Sequence, residues 1–473
     1  MSGRDMGRIH SASLEILRET GMAFGSEKAV GVFKSHGLKT SGETVYFTDK
    51  IIETALEMAP AEFTLLARDP ARNLDFSPRV RAIGPGSGAV CVVDGEGRTR
   101  QPTGQDFIRA ARLVQVLPQI GFCRPLFLPY DVPPAQVHTW MMAQQILNQD
   151  KPYFLMTGRD VPLLSRAFGR DASGMRDSAL TGRAYGLSSI NIISPLFIPR
   201  EACDNLLAYC RSGVTFHITS MPAAGSTAPC SLTAAVVMQN CENLGALVLS
   251  QLVSPGHPVF YGAMGGHSEM RMMHSVFGGP ENRLVELAGA RMADYYGLLS
   301  RGDVSITDAP VCDFQAGAES MYQFFSAVAG GVNLLPGCGL LGSFMGASLE
   351  KLILDVECLD YVIKALAPLK FGEDDLAVDI IKSVGPKGNF INHPHTFKRF
   401  RTEFHHPQVF RRQSYARWHK AGRPGLDILA ENAVETFLQK YRPPDIEAGL
   451  RRELLNLCDL KTKNIRPFGE EKK

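Results

Sequence analysis

Eight short apolar segments between residues 80 and 337 limit this chain to a small set of folds. Most are followed by a helical pattern and end near Gly, Pro or Ser, as strands buried on both faces of a parallel sheet do. They read VRAIG, IGFCRPL, PYFLMTG, SINIISP, VTFHITS, PVFYGAM, DVSITDA and GVNLLPG. Because the count reaches eight over roughly 290 residues, the pattern predicts an α/β fold of the TIM (β/α)8 barrel type. An open doubly wound sheet is the alternative.

The chain on either side of the barrel has a different pattern. Residues 1–78 contain three helix-like stretches followed by a small hairpin pattern, and residues 79–368 contain the barrel. Residues 369–473 lose the alternation and carry two helix patterns near their end, GLDILAENAVETFLQKY and DIEAGLRRELLNLCDL. The sequence therefore predicts an N-terminal helical and β-hairpin segment, a barrel domain and a C-terminal helical extension.

The overall charge and the cysteine pattern exclude several classes of protein. The net charge of +2 over 473 residues shows no bias towards nucleic acid or membrane surfaces. An uninterrupted apolar run of about 18 residues is absent, and the first residues lack the apolar core of a signal peptide. The 10 cysteines occur singly, which favours reduced thiols and a cytoplasmic protein.

A basic segment lies in the C-terminal region. Residues 393–424 hold eight Lys and Arg against Glu403 alone, a local charge of +7, with aromatic residues interleaved. A solvated face with local salt bridges is the simplest interpretation, and a docking site for an acidic partner is the next. Nucleic acid is the least favoured partner because no known binding motif accompanies the charge.

Functional groups in TIM barrels lie at the C-terminal ends of the strands. The predicted strand ends bring Arg124, His217, Tyr261 and Asp308 to one mouth. Asp308, at the predicted end of strand seven, is the candidate catalytic carboxylate, whereas Asp313 fits the first turn of a helix better.

Two further motifs have more ordinary explanations. The sequence GCGLLG, from Gly337, matches a dinucleotide fingerprint but lies in the last βα unit, where that fingerprint does not belong. We expect Gly337 and Gly339 to form a tight loop whose backbone approaches a cofactor or a neighbouring loop. His393 and His395 flank a proline without metal-ligand spacing, so no metal site is predicted.

Three stretches resemble the trimethylamine methyltransferase family of corrinoid-dependent enzymes. They are DAPVCDFQAGAES, GGVNLLPGCGLLGS and GNFINHPHTFKRFR, and the similarity runs in the same order over nearly the whole chain. The resemblance implies a TIM barrel that moves a methyl group from an amine to cob(I)alamin, giving methylcobalamin. A cognate corrinoid protein presents the cobalamin, so no tightly bound cofactor is expected.

One position bears on the substrate. The trimethylamine enzymes carry pyrrolysine near the end of strand seven, at the place of Ile306 here, and this chain contains only standard residues. The chain is thus similar to the non-pyrrolysine branch, whose known members demethylate quaternary amines. Glycine betaine, giving dimethylglycine, is the expected substrate, and proline betaine, carnitine and butyrobetaine are alternatives.

A quaternary ammonium ion calls for a counter-charge and aromatic faces. We expect Asp308 to supply the charge, with Tyr261 and Phe344 as the aromatic candidates, although both could also be core residues.

A betaine carboxylate needs hydrogen-bond donors. Arg124 and His217 are the first candidates, and His393 and His395 are reserves. A barrel that binds a betaine or a partner protein without catalysis is the alternative class, and a homo-oligomer is expected in either case.

Overall fold

The structure is a computed structural model that describes residues 1–271 and 274–459. The N-terminal region contains, in chain order, α1 (Gly3–Glu19), β1 (Met22–Phe24), α2 (Glu27–Ser35), β2 (Lys39–Ser41), β3 (Thr44–Tyr46), α3 (Asp49–Met58), β4 (Phe63–Leu66) and β5 (Leu74–Phe76). Capping side chains define the helix starts: the hydroxyl of Ser2 accepts from Asp5 N, and that of Thr48 accepts from Ile51 N.

The middle of the chain alternates strands and helices, as predicted. Its first half contains β6 (Ala82–Pro85), β7 (Cys91–Val93), β8 (Thr99–Arg100), α4 (Gly104–Val116), α5 (Val137–Asn148), α6 (Val161–Phe168), α7 (Ala172–Leu180), β9 (Arg183–Tyr185), β10 (Leu187–Asn191), β11 (Phe197–Ile198), α8 (Arg200–Ser212) and β12 (Thr215–Thr219). Its second half contains β13 (Ala223–Ala224), α9 (Leu232–Val253), β14 (Val259–Gly262), β15 (Gly266–Glu269), β16 (His274–Val276), α10 (Pro280–Tyr295), β17 (Ser300–Arg301), α11 (Phe314–Gly330), β18 (Leu334–Cys338), β19 (Leu340–Leu341), β20 (Gly346–Ala347) and α12 (Leu349–Ala365).

Eight parallel segments close into a barrel. Six of them form one hydrogen-bonded sheet in the order β10, β12, β14, β17, β18 and β6. Parallel bridges join Ile120 to Ile83 of β6 and Phe154 to Leu187 of β10, which adds the second and third segments. The hydrogen bond from Cys123 N to Pro152 O, 2.9 Å, connects these two segments and completes the ring. The TIM-barrel prediction is confirmed.

A hairpin from the N-terminal region closes the bottom of the barrel. Phe63 and Phe76, on the antiparallel pair β4 and β5, pack edge-on against Phe260 of β14. Inward residues of other strands, including Leu187 and Leu334, belong to the same buried cluster. Among the described residues, the lower half of the barrel is therefore filled with apolar side chains, and a cavity opens at the opposite end.

Helices cover the outside of the barrel, and the N-terminal region joins this layer. α1 and α3 pack against α9, and β1 pairs in parallel with β11. Among the described residues, α9 is the one helix whose length and composition would suit a membrane span, and 72% of its most apolar window is buried inside the protein. Burial between barrel and outer helices accounts for that composition.

Strand seven lies earlier than the sequence predicted. The segment DVSITDA was expected to form it, but β17 is Ser300–Arg301, and ladder bonds from Gly302 N and Val304 N to strand eight follow it. The chain leaves the strand at Ser305, a non-glycine residue with φ of 59°. Arg301, and not Asp308, therefore lies at the inner edge of the mouth on this strand.

The C-terminal region contains α13 (Glu373–Leu376), α14 (Val378–Val384), α15 (Pro394–Glu403), α16 (Tyr415–Lys420), α17 (Leu426–Gln439) and α18 (Ala448–Cys458). α17 packs on α12 and α4, and α18 packs on α5. The two predicted helices near the C-terminus correspond to α17 and α18, and residues 460–473 of the predicted extension lie outside the described residues.

Candidate functional site

The inner wall of the barrel changes from apolar to polar along three of its eight segments, two residues after the filled layer. Side chains at alternate positions face the same side, so Phe122, Leu187 and Leu299 in the filled lower layer are followed by Arg124, Ser189 and Arg301. This second layer forms the floor of the mouth.

A cavity of about 530 Å³ opens above that floor at the C-terminal ends of the strands. Its volume lies in the range of small-molecule sites. Its walls combine aromatic, thioether, amide and hydroxyl groups with two arginines: Ser87, Gly88, Arg124, Phe154, Met156, Ser189, Asn191, Pro199, Glu201, Ala202, Asn205, Thr219, Met221, Met264, Arg301 and Phe344.

Arg301 is buried and paired. Its guanidinium donates two hydrogen bonds to the carboxylate of Asp303, at 3.0 and 2.6 Å. Arg283 donates to the carbonyl of Asp303 at 2.7 Å and forms an ion pair with Glu286 at 2.6 Å. Burial raises the pKa of the Glu286 carboxyl above its usual value, and the positive charge of Arg283 opposes this effect.

Arg124 lacks a carboxylate partner among the described residues. Its guanidinium carbon lies 4.7 Å from the centre of the Phe154 ring, and its Nε has no hydrogen-bond partner among those residues. Burial lowers the pKa of Arg124 to about 9, and the nearby charge of Arg301 adds to this effect. The floor of the mouth thus carries an uncompensated positive charge, which favours an anionic group of a ligand.

His217 lies in the same polar layer, beneath the cavity. Its Nδ1 is 3.1 Å from the hydroxyl of Thr219, and its Nε2 has no partner among the described residues. Burial holds the pKa of the imidazole well below its usual value, and Arg301 and Arg124 act in the same direction. The ring is therefore neutral and offers one N–H donor.

The two predicted aromatic residues lie in different places. Phe344 lines the cavity, and its ring meets that of Phe277 edge-on at 4.7 Å. Tyr261 faces outwards, because it follows the inward-facing Phe260, and its hydroxyl donates to Asn240 of α9 at 2.8 Å. The structure therefore brings Phe344 to the site and buries Tyr261 in the helical layer.

Asp308 lies in the loop beyond strand seven and does not line the cavity. Its carboxylate accepts hydrogen bonds from Phe277 N at 2.9 Å, Gly278 N at 2.8 Å and the hydroxyl of Ser343 at 2.6 Å. Three loops of the mouth meet at this group. Ile306 is also absent from the cavity wall: it is buried with Leu126 and Leu340.

The backbone at Gly337 does approach another segment closely, as predicted, and that segment is the end of strand seven. A Cβ at Gly337, where φ is 137°, would lie 1.9 Å from the carbonyl oxygen of Val304. The amide of Gly339 donates to the carboxylate of Asp355 at 2.7 Å. Neither glycine lines the cavity.

A buried ion pair lies behind this loop. Lys351 donates to Asp355 at 2.5 Å and to the hydroxyls of Ser305 and Ser320 at 2.7 and 2.9 Å. Because Ser305 ends strand seven and Asp355 holds Gly339, the pair connects the ends of the last two strands.

The reserve histidines lie away from the mouth. His393 caps α15 by accepting from His395 N, and His395 lines a separate groove whose walls all come from residues 369–404. Within the described residues there is no cluster of three or more His, Cys, Asp or Glu side chains that could hold a metal ion.

The fold and the cavity define a TIM-barrel protein with a small-molecule site at the C-terminal face of its strands. A family model described as Trimethylamine methyltransferase (MTTB) matches residues 1–466. The chain belongs to this family, and it is a methyltransferase.

Two curated relatives and one solved structure add detail. Glycine betaine methyltransferase of Desulfitobacterium hafniense (strain Y51) is 32% identical over 98% of this chain and 96% of its own length. L-carnitine:corrinoid methyltransferase of Eubacterium limosum is 27% identical over 96% of this chain and 95% of its own. The crystal structure of Methanosarcina barkeri monomethylamine methyltransferase (MtmB) aligns with 93% of this chain and 88% of that chain, with a TM-score of 0.50 and 12% identity, which supports the fold.

Proposed function

We propose that this protein transfers a methyl group from a quaternary amine that carries a carboxylate, with glycine betaine as the best candidate, to the cob(I)alamin of a cognate corrinoid protein. The observation that carries the proposal is the positive charge of Arg124 in the cavity wall, stacked on Phe154 without a carboxylate partner among the described residues.

Arg124 would bind the carboxylate of the substrate. A guanidinium can donate two parallel hydrogen bonds to one carboxylate, which gives both orientation and affinity. His217, in the same polar layer, can add a neutral donor from its unpartnered Nε2. Arg301 contributes less, because Asp303 already accepts two of its hydrogen bonds.

The trimethylammonium end would rest against Phe344 and the thioethers of Met221 and Met264. An aromatic face attracts a cation by about 0.5–2 kcal/mol, and more when water is excluded. Glu201 is the acidic residue among those that line the cavity, so we place the counter-charge there and assign Asp308 the role of holding the mouth loops together.

The methyl transfer depends on how the cavity positions the substrate more than on acid–base or nucleophilic side chains. The N–CH3 bond breaks as the methyl group forms a bond to cobalt, the bonding electrons stay on nitrogen, and a neutral tertiary amine leaves. No proton moves in this step, so a preorganised cavity that aligns the N–CH3 bond and excludes water is sufficient.

The corrinoid protein would dock over the mouth. Exposed apolar side chains follow four of the barrel strands: Ile193, Met270 and Met345 lie in the loops, and Phe314 is the first residue of α11. Such residues at the rim of a functional cavity favour a protein partner.

Purified protein incubated with cob(I)alamin and each candidate amine tests the proposal. Glycine betaine should give methylcobalamin, followed by its absorbance, together with dimethylglycine by mass spectrometry. Proline betaine, carnitine and butyrobetaine serve as competing substrates, and trimethylamine should give no product because its leaving group is not activated. A comparable rate with trimethylamine would contradict the proposal, and binding of a betaine without methyl transfer would favour a purely binding role.

A further inference from the structure

The floor of the mouth holds two guanidinium groups, and among the described residues only that of Arg301 is paired with a carboxylate. Burial lowers the pKa of Arg124 and the positive charge of Arg301 adds to this effect, so the two groups interact. Two neighbouring guanidinium groups can bind two carboxylates, because each presents a planar set of N–H donors. A floor with both groups free would therefore favour a ligand with two carboxylates.

Asp303 occupies Arg301 as the carboxylate of a ligand would. Its two oxygens accept hydrogen bonds from separate nitrogens of the guanidinium at 3.0 and 2.6 Å, which is the two-pronged geometry of arginine–carboxylate recognition. Arg301 is 2% exposed and Asp303 3%, so solvent screens the pair little. With Arg124 included, two positive charges and one negative charge remain in this layer, which leaves the charge needed for one ligand carboxylate.

The backbone around Asp303 is held in place. The amides on either side of it, Gly302 N and Val304 N, donate to strand eight at 3.1 and 3.0 Å. Its carbonyl accepts from the buried Arg283 of α10 at 2.7 Å. With this backbone fixed, Asp303 can release Arg301 only by rotating a buried carboxylate away from its counter-ion, which is costly.

We propose that Asp303 determines the specificity of the cavity for ligands with a single carboxylate, by occupying Arg301 and leaving Arg124 as the guanidinium that a ligand can use. The inference rests on the proposed function, in which Arg124 binds the carboxylate of a betaine. A ligand with a second carboxylate would bring that group to a guanidinium that Asp303 already occupies, and the two negative charges would repel each other.

Isothermal titration calorimetry on the purified full-length chain, without a corrinoid, tests the proposal. Acetate is the probe with one carboxylate, and malonate and succinate are the probes with two. The wild type should bind neither dicarboxylate more than a few-fold more tightly than acetate. This comparison uses the wild type alone, so it does not depend on the folding of a variant.

Asp303→Asn should free Arg301 and change this preference. Asn keeps the size of the side chain and removes its charge, so a second carboxylate gains a charge-assisted contact. The Kd of the better dicarboxylate relative to that of acetate should fall about 10-fold or more, as one such contact provides.

Two further variants are the controls. Asp294→Asn on α10, where the side chain is 72% exposed, removes the same charge at the surface and should leave the ratio of the two Kd values unchanged. Adding Arg301→Gln to Asp303→Asn should abolish the gain, because the second guanidinium is then absent.

A wild type that binds a dicarboxylate 10-fold more tightly than acetate would overturn the proposal. So would an Asp303→Asn variant that has the far-UV circular dichroism spectrum of the wild type and also its selectivity. Methyl transfer from glycine betaine separates this inference from the proposed function. If Asp303→Asn gains the dicarboxylate while the wild type does not turn over glycine betaine, the proposed function fails and the assignment of Asp303 stands.

Discussion

Arg301 and Asp303 form a two-pronged ion pair in the floor of the barrel mouth, with N–O distances of 3.0 and 2.6 Å. The pair occupies two successive inward positions, Arg301 in strand seven and Asp303 just after it, and Arg283 of α10 donates to the carbonyl of Asp303. Because the charge of Arg301 is matched in this way, Arg124 remains as the guanidinium available to a ligand.

Arg124→Gln should therefore weaken the use of a carboxylate substrate. A charge pair near a partly desolvated site is worth roughly 1–4 kcal/mol, so kcat/KM for glycine betaine should fall about 10- to 1000-fold. Steady-state methyl transfer to free cob(I)alamin measures the loss. Arg159→Gln, at an exposed position near the mouth, is the control and should change little. An equal loss with a quaternary ammonium compound that lacks a carboxylate would show that Arg124 does not bind that group.

The pH dependence should report the same arginine. Burial lowers the pKa of Arg124 to about 9, so its positive charge is present below that pH and is lost as the pH rises through it. We expect kcat/KM for glycine betaine to be level near neutrality and to decline above about pH 9. Turnover of a carboxylate-free quaternary amine should lack this decline, and an identical profile for both substrates would count against the assignment.

Asp308→Asn should lower stability together with activity. The carboxylate of Asp308 accepts hydrogen bonds from Phe277 N, Gly278 N and the hydroxyl of Ser343. In the Asn variant, the side-chain NH2 group would face at least one of these donors, and that hydrogen bond would be lost. Each unsatisfied buried group costs about 1–3 kcal/mol, which urea denaturation can resolve. Asp313→Asn is the control, because Asp and Asn cap helices about equally well. Full stability with a large loss of kcat/KM would instead support the counter-charge role first expected for Asp308.

Lys351→Met should destabilise the barrel. The substitution leaves Asp355 as a buried carboxylate without its cation, which typically costs about 3–5 kcal/mol. Adding Asp355→Asn removes the orphaned charge and should recover part of that loss, as a urea-denaturation cycle would show. Lys364→Met, exposed in the last turn of the same helix, should be close to neutral. If Lys351→Met alone were as stable as the wild type, the Lys351–Asp355 pair would not hold the strand ends together.

Much of the barrel follows from sequence pattern alone, whereas the site depends on details that the pattern does not contain. Strand periodicity predicted the eight segments and brought Arg124 and His217 to the mouth. It missed Arg301, because DVSITDA alternates like a strand although the chain leaves the ladder at Ser305. The error moved the predicted mouth residue from Arg301 to Asp308.

Side-chain direction was the second source of error. Phe260 and Tyr261 are adjacent in PVFYGAM, and either could face inwards in a strand buried on both faces. Only the N-terminal hairpin, which brings Phe63 and Phe76 against Phe260, fixes which of the two faces the interior. Applying the two-residue alternation from Leu187 to Ser189 and Asn191 would have found two more of the cavity residues.

The hairpin that fills the bottom of the barrel also determines the order in which the substrate and the corrinoid protein bind and leave. In the part of the chain that is described, Phe63 and Phe76 block the lower end, so the cavity is blind and its mouth is the way in and out. For the proposed reaction, a corrinoid protein seated on that mouth would trap whatever the cavity holds. The amine must therefore load first, and the demethylated product can diffuse away only after the protein carrying the methylated corrinoid has dissociated.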